Sequence, residues 1–331
     1  MDPLTQGVLG ASVPQSAARQ PHIRLACILG LLSGMAPDLD VLIQSPDDPL
    51  LFLEYHRQFT HALIFIPAGG LICAAVFHRL FARRYLSFRQ VWLWCTLGYA
   101  THGLLDACTS YGTQLLWPFS DVRIAWNNVS VVDPAFTIPL LLLMVVGLVS
   151  RKRAYTRIGL AWAIFYLILG VMQRDRAEAV GANLARARGH EPVRLEARPG
   201  FANLLLWKIV YDTGHEFHVD AVRMGITPRI FPGRSIDKLN LDRQFPWLDP
   251  DSQQAKDIER FRWFSDRYLA VDPRHNDLIV DIRYSLLPNE IDALWGIRLS
   301  RNAGKHRHVD FITNREASRD RLKRLLEMLF N

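Results

Sequence analysis

The sequence is poor in cysteine, and the few positions exclude the usual cysteine-based frameworks. Four cysteines occur among 331 residues, no two of them have a CxxC spacing, and none lies beyond position 108. A disulfide-stabilised scaffold and a thiolate zinc site are therefore not expected. The first residues, Met1-Asp2-Pro3, lack the cationic start of a cleavable signal peptide. Any insertion into a membrane must then use internal segments.

Long apolar runs are missing from the second half of the chain, and so are internal repeats and low-complexity tracts. The sequence is 50% hydrophobic, yet nearly every long apolar run falls between residues 25 and 172. From residue 174 onward the composition is that of a charged, soluble domain. We therefore predict a membrane domain in residues 1–173, a linker in residues 174–199 and a soluble domain in residues 200–331.

Five apolar segments have the composition of membrane helices. They cover residues 25–43, 62–80, 91–105, 134–150 and 158–172. A span needs about 20 apolar residues, with a usable range of about 17–25, so the third and fifth segments are short. A helical bundle buried in a soluble protein is the alternative. Residues 140–146 have no polar face, which favours contact with lipid.

Positive charge is unevenly placed, and its placement predicts an orientation. The net charge is +7, and basic residues concentrate in two blocks between apolar segments, at residues 79–89 and 151–157. Such blocks are typical of cytoplasmic loops, an interpretation that we prefer to a nucleic-acid surface. With five spans, the N-terminus lies in the cytoplasm and the C-terminal domain outside it. No nucleic-acid partner is expected.

The C-terminal part shows mixed helix and strand patterns. Residues 217–223 and 278–284 alternate in the manner of half-buried strands, and residues 315–329 have the pattern of a closing amphipathic helix. The histidines of this part lack the HExxH spacing of a helical zinc protease. The predicted fold class is a membrane α-helical bundle of about five spans followed by a soluble α+β domain.

Three short motifs place ionisable residues at the ends of predicted membrane segments. They are Ala36-Pro37-Asp38-Leu39-Asp40, His56-Arg57-Gln58-Phe59-Thr60-His61 and His102-Gly103-Leu104-Leu105-Asp106. The predicted orientation brings all three to the outer face of the membrane. Because ionisable groups near lipid are costly, they usually face a cavity, a partner or an ion.

These motifs predict a divalent-metal site. Imidazole and carboxylate groups suit zinc, manganese or iron, and carboxylates alone favour magnesium. Zinc is the favoured ion, with manganese or magnesium as alternatives. His102 and Asp106 are four residues apart and share one face of a helix. The predicted ligands are Asp38, Asp40, His56, His61, His102 and Asp106.

Other residues are given roles around this site. The predicted catalytic residues are Asp38, Arg57 and Asp106. A carboxylate outside the metal shell would act as general base, and Arg57 would stabilise developing negative charge. Thr60 is predicted to cap a helix that begins at His61 and to lie in the second shell of the site. Asp133, just before the fourth apolar segment, is placed in the outer shell of the site. Each motif also has a plain structural interpretation, as a hydrogen-bonded pair or a turn.

The first 135 or so residues resemble the YdjM-type family of bacterial inner-membrane proteins. The resemblance rests on the three motifs above together with Met1-Asp2-Pro3-Leu4-Thr5-Gln6, Tyr111-Gly112-Thr113 and Trp117-Pro118-Phe119. It implies metal-assisted hydrolysis at a bacterial inner membrane and leaves the substrate open. Many members carry His where this chain has Gln6, which we therefore place in the second shell. Gln58 stands where glycine is common.

The predicted function is hydrolysis of a phosphoester or other ester by metal-activated water at the outer membrane face. Membrane lipid is the expected partner, and a lipid or envelope component is the expected substrate. The alternative is a non-enzymatic metal-binding or envelope-stress protein, which a closed four-ligand shell would favour. A transporter is a third possibility, but it should place its ionisable groups near mid-membrane rather than at segment ends.

Overall fold

Helices occupy most of the chain up to residue 187. In the computed structural model, which describes residues 1–314 and 319–330, they are α1 (Pro3–Ala17), α2 (Ile23–Met35), α3 (Leu51–Tyr55), α4 (Ile66–Leu80), α5 (Phe88–Ala107), α6 (Pro134–Ser150) and α7 (Arg153–Ala187). Two 3-10 segments position functional residues. Ala36–Leu42 follows α2 directly, and Phe59–His61 precedes α4.

The helix α1 packs closely against its neighbours through glycine. Its N-terminus is capped by the side chain of Asp2, which accepts a hydrogen bond from the Thr5 backbone at 3.0 Å. A Cβ atom on Gly10 would lie 2.7 Å from the backbone oxygen of Gly30, and one on Gly98 of α5 would lie 2.5 Å from the same atom. Since only glycine permits such approaches, α1, α2 and α5 bring their backbones together.

All five predicted apolar segments are helical, but five membrane spans are not confirmed. Within the described residues, three helical stretches are long and apolar enough to cross a membrane: Gln20–Leu42, Leu63–Leu80 and Arg153–Ala187. The helix α6 is apolar but shorter. The helix α5 has 20 residues but buries polar side chains, including His102 and Asp106, inside the bundle. A polar face of this kind lowers the mean hydropathy of a helix without preventing its burial.

Two antiparallel four-stranded sheets form the later part of the chain. The first sheet has the order β1 (Arg194–Pro199), β2 (Leu206–Asp212), β3 (Glu216–Arg223) and β4 (Arg229–Asp237). The second has the order β5 (Leu269–Val271), β6 (Leu278–Asp281), β7 (Trp295–Arg298) and β8 (Asp310–Thr313). Three helices accompany them: α8 (Leu241–Gln244), α9 (Gln253–Phe264) and α10 (Arg319–Phe330).

Both sheets contribute to one buried apolar cluster. Val210 and Val219 come from the first sheet, and Ala270 and Val280 come from the second. The outward-facing residues on β4 are mostly exposed or half-buried. This layered packing of strands and helices is an α+β arrangement, as the sequence predicted.

The strand and helix predictions for this part are confirmed over most of their length. Residues 217–223 lie within β3, whereas the predicted strand at 278–284 ends at Asp281. It ends there because the Arg283 backbone and guanidinium both turn back to donate hydrogen bonds to the Asp281 carboxylate. Residues 315–318 of the predicted closing helix lie outside the described part of the chain, and α10 covers the rest.

The chain divides into two compact units that interleave along the sequence. Unit 1 contains residues 1–42, 55–172 and 201–203, and unit 2 contains the remainder. Residues 174–199, predicted as a linker, form the last part of α7 and the strand β1. Charged and alanine-rich composition does not distinguish a linker from an exposed helix, because both are polar and solvated.

Candidate metal centre

Four side chains from three segments of unit 1 meet at one point, and we call them the Asp/His cluster. Asp38 lies in the 3-10 segment after α2, and His61 is the last residue of the 3-10 segment before α4. His102 and Asp106 lie on one face of α5 near its end. One potential ligand atom from each side chain lies within 4.8 Å of the others, so the cluster can hold a metal ion.

The carboxylates and imidazoles of the cluster face one another directly. Asp38 Oδ1 lies 3.3 Å from His102 Nε2 and 3.5 Å from His61 Nε2. Asp106 Oδ2 lies 3.3 Å from His61 Nε2 and 3.7 Å from His102 Nε2. Two nitrogen and two oxygen atoms therefore surround a common centre, the donor set that zinc and related ions prefer.

The cluster is buried on all sides but one. The side chains of His61, His102 and Asp106 are 0% exposed, whereas that of Asp38 is 22% exposed. Asp38 is therefore the side chain through which the cluster is exposed.

Both imidazoles are oriented by contacts on their far side. His102 Nδ1 lies 2.5 Å from the backbone oxygen of Gly34. Since a carbonyl oxygen only accepts, Nδ1 carries the proton and Nε2 presents its lone pair to the cluster. His61 Nδ1 lies 2.9 Å from Thr60 Oγ1 and 3.2 Å from Asp40 Oδ2. Metal-binding histidines are fixed in this way by outer carboxylates and carbonyls.

Asp40 makes several of these outer contacts. Its oxygens accept hydrogen bonds from the Arg57 backbone at 3.0 Å and from Thr60 Oγ1 at 2.9 Å. His56 Nδ1 lies 2.8 Å from Asp40 Oδ1. Asp38, Asp40 and His56 form a second group within metal-binding reach. The six predicted ligands are thus all brought together, but Asp40 and His56 lie outside the four-residue cluster.

Arg57 is buried beside the cluster in a left-handed backbone conformation, with φ of 67°. Its Nε atom lies 3.1 Å from Asp106 Oδ2, and an Nη atom donates a hydrogen bond to Thr109 Oγ1 at 3.1 Å. The guanidinium also lies over the ring of Tyr111, 4.7 Å from its centroid. These contacts hold the Arg57 guanidinium against Asp106 and stabilise the uncommon backbone conformation of Arg57.

Of the three predicted second-shell residues, Gln6 and Thr60 lie at the site. Gln6 Nε2 donates to Asp106 Oδ1 at 2.8 Å, which places α1 in the site. Thr60 does not cap a helix, and that prediction is wrong, because α4 begins only at Ile66. Its hydroxyl bonds Asp40 instead.

The third predicted second-shell residue, Asp133, serves a different part of unit 1. It caps α6 by accepting hydrogen bonds from the Ala135 and Phe136 backbones, and it accepts a further one from the Tyr166 hydroxyl at 2.9 Å. Sequence reasoning missed the Gly34 carbonyl and the amino group of Met1, which contacts Asp106. Neither is readable from side-chain patterns, because both groups belong to the backbone.

The residues present fit a divalent cation. His61 Nε2 and Asp106 Oδ2 are buried and make no hydrogen bond of good geometry to any described residue. Burial alone would lower the pKa of His61, but the close carboxylates of Asp106, Asp38 and Asp40 outweigh burial and raise that pKa to about 10. A field that holds a proton so strongly also attracts a metal ion, which would take the place of that proton.

Known proteins resemble parts of this chain. YfhP of Bacillus subtilis (strain 168), described as an uncharacterized protein, is 24% identical over 232 residues, which are 66% of this chain and 67% of YfhP. The inner membrane protein YbcI of Escherichia coli (strain K12) is 33% identical over 106 residues, which are 31% of this chain and 60% of YbcI. No solved structure matches the chain.

The region that holds the Asp/His cluster also matches a family model, the YdjM inner membrane protein family, over residues 1–177. Those residues include every member of the cluster and the stretches Gln20–Leu42 and Leu63–Leu80, which can cross a membrane. The family match and the apolar helices together indicate a location in the inner membrane. Since the family match extends over more than half of the 331 residues of this chain, the chain belongs to the YdjM inner membrane protein family.

Proposed function

We propose that the chain is a membrane-bound, metal-dependent hydrolase of a phosphoester or other ester. One observation carries the proposal: two buried imidazoles turn their Nε2 atoms towards two carboxylates, and two of these four ligand atoms lack a hydrogen bond among the described residues. Such an arrangement leaves room for a cation and opens towards Asp38. An open position beside three buried ligands is typical of catalytic rather than structural metal sites.

His61, His102 and Asp106 are the residues that would hold the ion, with zinc favoured and manganese or magnesium as alternatives. A divalent cation would supply Lewis acidity and would lower the pKa of a bound water towards about 7. Asp40 and Gly34 orient the two imidazoles, and Gln6 orients the Asp106 carboxylate. These outer contacts fix the ligand atoms before the ion binds.

Asp38 is the residue that would act as general base. Hydrolysis forms a bond from the water oxygen to phosphorus or to an acyl carbon. The bond from that centre to the leaving oxygen breaks, and the leaving oxygen takes up a proton. Asp38 is the most exposed carboxylate of the cluster, so it can accept the proton of the water and return it to the leaving group.

Arg57 acts here as a positioning residue. Its guanidinium contacts Asp106 and Thr109 and stacks on Tyr111, so it is already engaged before any substrate binds. These contacts favour a role in holding Asp106 over the predicted direct contact with developing negative charge. The conservative Arg57→Lys variant would keep the charge and lose the forked geometry.

The first experiment measures the metal content of the detergent-purified protein. We expect near-stoichiometric metal in the unaltered protein and its loss in the double variant His61→Ala, His102→Ala. The matched control is His215→Ala, His306→Ala, which removes two exposed histidines of unit 2 and should retain the ion. Equal metal content in both double variants, or no metal in the unaltered protein under metal-replete conditions, would refute the metal centre.

The second experiment separates catalysis from structure. The structural alternative is a non-enzymatic metal-binding protein, in which Asp38 would close a four-ligand shell. We expect metal-loaded protein to cleave phosphodiesters or carboxylic esters in a substrate screen, and we expect Asp38→Asn to keep its metal and lose turnover. Metal binding without turnover of any ester class would favour the structural alternative.

We further propose that the cluster and unit 2 lie on the extracytoplasmic side of the inner membrane. The two basic blocks at residues 79–89 and 151–157 support this orientation. A cysteine replacing exposed Lys305 should react with a membrane-impermeant maleimide in spheroplasts, whereas one replacing Arg84 should not. Labelling at position 84 but not at position 305 would show that the orientation is the opposite of the one proposed.

A further inference from the structure

An apolar groove of about 490 Å³ runs along unit 1 beside the Asp/His cluster. Leu32 and Leu39 line one wall, and Ile72 and Val76 of α4 line the other. These walls belong to Gln20–Leu42 and Leu63–Leu80, two of the stretches that can cross a membrane. The volume lies within the range of about 300–1,000 Å³ that is usual for small-molecule sites.

Thr60 connects the groove with the residues that orient His61. Thr60 lines the groove, and its hydroxyl lies 2.9 Å from both Asp40 Oδ2 and His61 Nδ1. Tyr99 also lines the groove and donates a hydrogen bond from its hydroxyl to the Thr60 backbone oxygen at 2.7 Å. The lining of the groove is therefore mainly apolar, and its hydroxyl groups belong to Thr60 and Tyr99.

The 3-10 segment Ala36–Leu42 is shared by the groove and the cluster. Leu39 lines the groove, whereas its sequence neighbour Asp38 belongs to the cluster and its other neighbour Asp40 orients His61. An apolar tail in the groove would therefore lie against the segment that carries Asp38 and Asp40.

We infer that the substrate of the proposed hydrolase is a membrane phospholipid, with one acyl chain in this groove and its head-group ester at the metal centre. The inference rests on the proposed function. A hydrocarbon chain matches the apolar walls, and the walls lie in segments whose surroundings are acyl chains. The phosphodiester is an anion with ester bonds, which suits both a divalent cation and hydrolysis.

The neighbouring position on α4 offers a matched control. Leu71 is 45% exposed and Ile72 is 57% exposed, but only Ile72 lines the groove. Lipid that merely surrounds the helix contacts both side chains, whereas a bound acyl chain depends on the groove alone. The variants Ile72→Trp and Leu71→Trp add the same bulk in and outside the groove, and Val76→Trp repeats the groove variant one turn later.

The experiment uses metal-loaded full-length protein in detergent micelles containing phosphatidylglycerol that carries a diazirine near the end of one acyl chain. Photolabelled peptides are mapped, and release of the phospholipid's hydrolysis products is followed in parallel. Only variants whose metal content equals that of the unaltered protein are compared. We expect Ile72→Trp and Val76→Trp to lower groove labelling and phospholipid cleavage about tenfold, while Leu71→Trp changes neither.

Two different failures can be told apart with one water-soluble probe, bis(p-nitrophenyl) phosphate. If phosphatidylglycerol is cleaved equally by the Ile72→Trp and Leu71→Trp proteins, the groove inference is overturned and the hydrolase proposal stands. Cleavage of the water-soluble diester without cleavage or groove labelling by the phospholipid has the same meaning. If neither compound is cleaved by the unaltered, metal-loaded protein, hydrolysis of phosphodiesters is refuted and the inference fails with it; failure in the wider ester screen as well would refute the hydrolase proposal.

Discussion

The two units of this chain both bury charged side chains, but they satisfy those charges differently. In unit 2, Asp281 is fully buried and accepts hydrogen bonds from the Arg283 guanidinium at 2.7–3.1 Å. In unit 1, the buried carboxylate of Asp106 faces two imidazoles as well as Arg57. The first arrangement is a closed ion pair, and the second keeps ligand atoms available.

This difference indicates which buried charges are structural and which are functional. Arg283 also donates to the Phe264 backbone oxygen at 2.9 Å, and Trp295 Nε1 donates to Asp281 at 3.3 Å, so each member of the pair has several partners. A buried pair of this kind is costly to break and has little reason to bind anything else. In the Asp/His cluster, by contrast, His61 Nε2 and Asp106 Oδ2 lack a hydrogen bond among the described residues.

The largest expected effect is on the stability of unit 2. Asp281→Asn leaves the buried Arg283 cation without its counter-ion, so we expect a loss of about 3–5 kcal/mol in the free energy of unfolding. Hydrogen exchange of the β6 and β7 amides in the full chain would report it. The metal-free Asp38→Asn protein, which only removes one of several crowded carboxylates, should lose none of its protection in unit 1. A similar loss in both variants would remove the contrast between the units.

The next effect is on metal affinity. Replacing Asp40 by Asn weakens the outer contact to His61, and outer-shell changes of this kind cost about 10–100-fold in affinity. Competition with a fluorescent chelator would measure it. Asp133→Asn is the matched control, because Asp133 caps α6 and does not orient a cluster residue. An equal loss of affinity in both variants would mean that Asp40 has no special role.

A smaller effect is the pH dependence of unit 2. Burial lowers the pKa of Lys208 to about 7, against the raising influence of Asp281, while the unfolded chain keeps a value of about 10.4. Between these values the unfolded state binds the proton that the folded state lacks, so stability rises with pH. We expect a gain of about 1 kcal/mol from pH 7 to 8. The Lys208→Met protein should lose this gain, as followed by hydrogen exchange of β2, and an unchanged slope would contradict the assignment.

The smallest effect is at the protein surface. Arg243 and Asp237 form an ion pair at 2.6 Å, but both side chains are about 60% exposed. Exposed pairs contribute about 0–1 kcal/mol, since water and salt screen them. Arg243→Ala should therefore leave the thermal unfolding midpoint of unit 2 nearly unchanged. A shift comparable to that of Asp281→Asn would show that distance rather than burial decides the strength of these pairs.

The helices and the three polar motifs were predictable because each has a local pattern. Apolar runs marked the segments that became α2, α4, α5, α6 and α7, and the four-residue spacing put His102 and Asp106 on one helical face. The alternation at 217–223 marked β3. These patterns survive folding because the periods of helices and strands are properties of the backbone.

The helix α1 was not predicted, because its buried face is made of small and polar residues rather than a hydrophobic stripe. Thr5, Gln6 and Gly10 are buried there, and their burial depends on α2 and α5. The predicted role of Thr60 was wrong because the chain forms 3-10 turns at Phe59–His61 and Leu63–Phe65 and α4 begins only at Ile66. The Thr60 hydroxyl donates instead to Asp40, twenty residues earlier in the chain.

The sequence alone determined the helical first part and the α+β second part. It also determined the set of Asp and His residues that form the candidate centre. Periodicity and composition carry that information, because they act over a few residues. Only the tertiary structure separates Asp38, the exposed carboxylate, from Asp40, which orients His61. It alone shows the groove that Thr60 helps to line. Both depend on how distant helices meet, and helix packing is set by contacts between residues far apart in the chain.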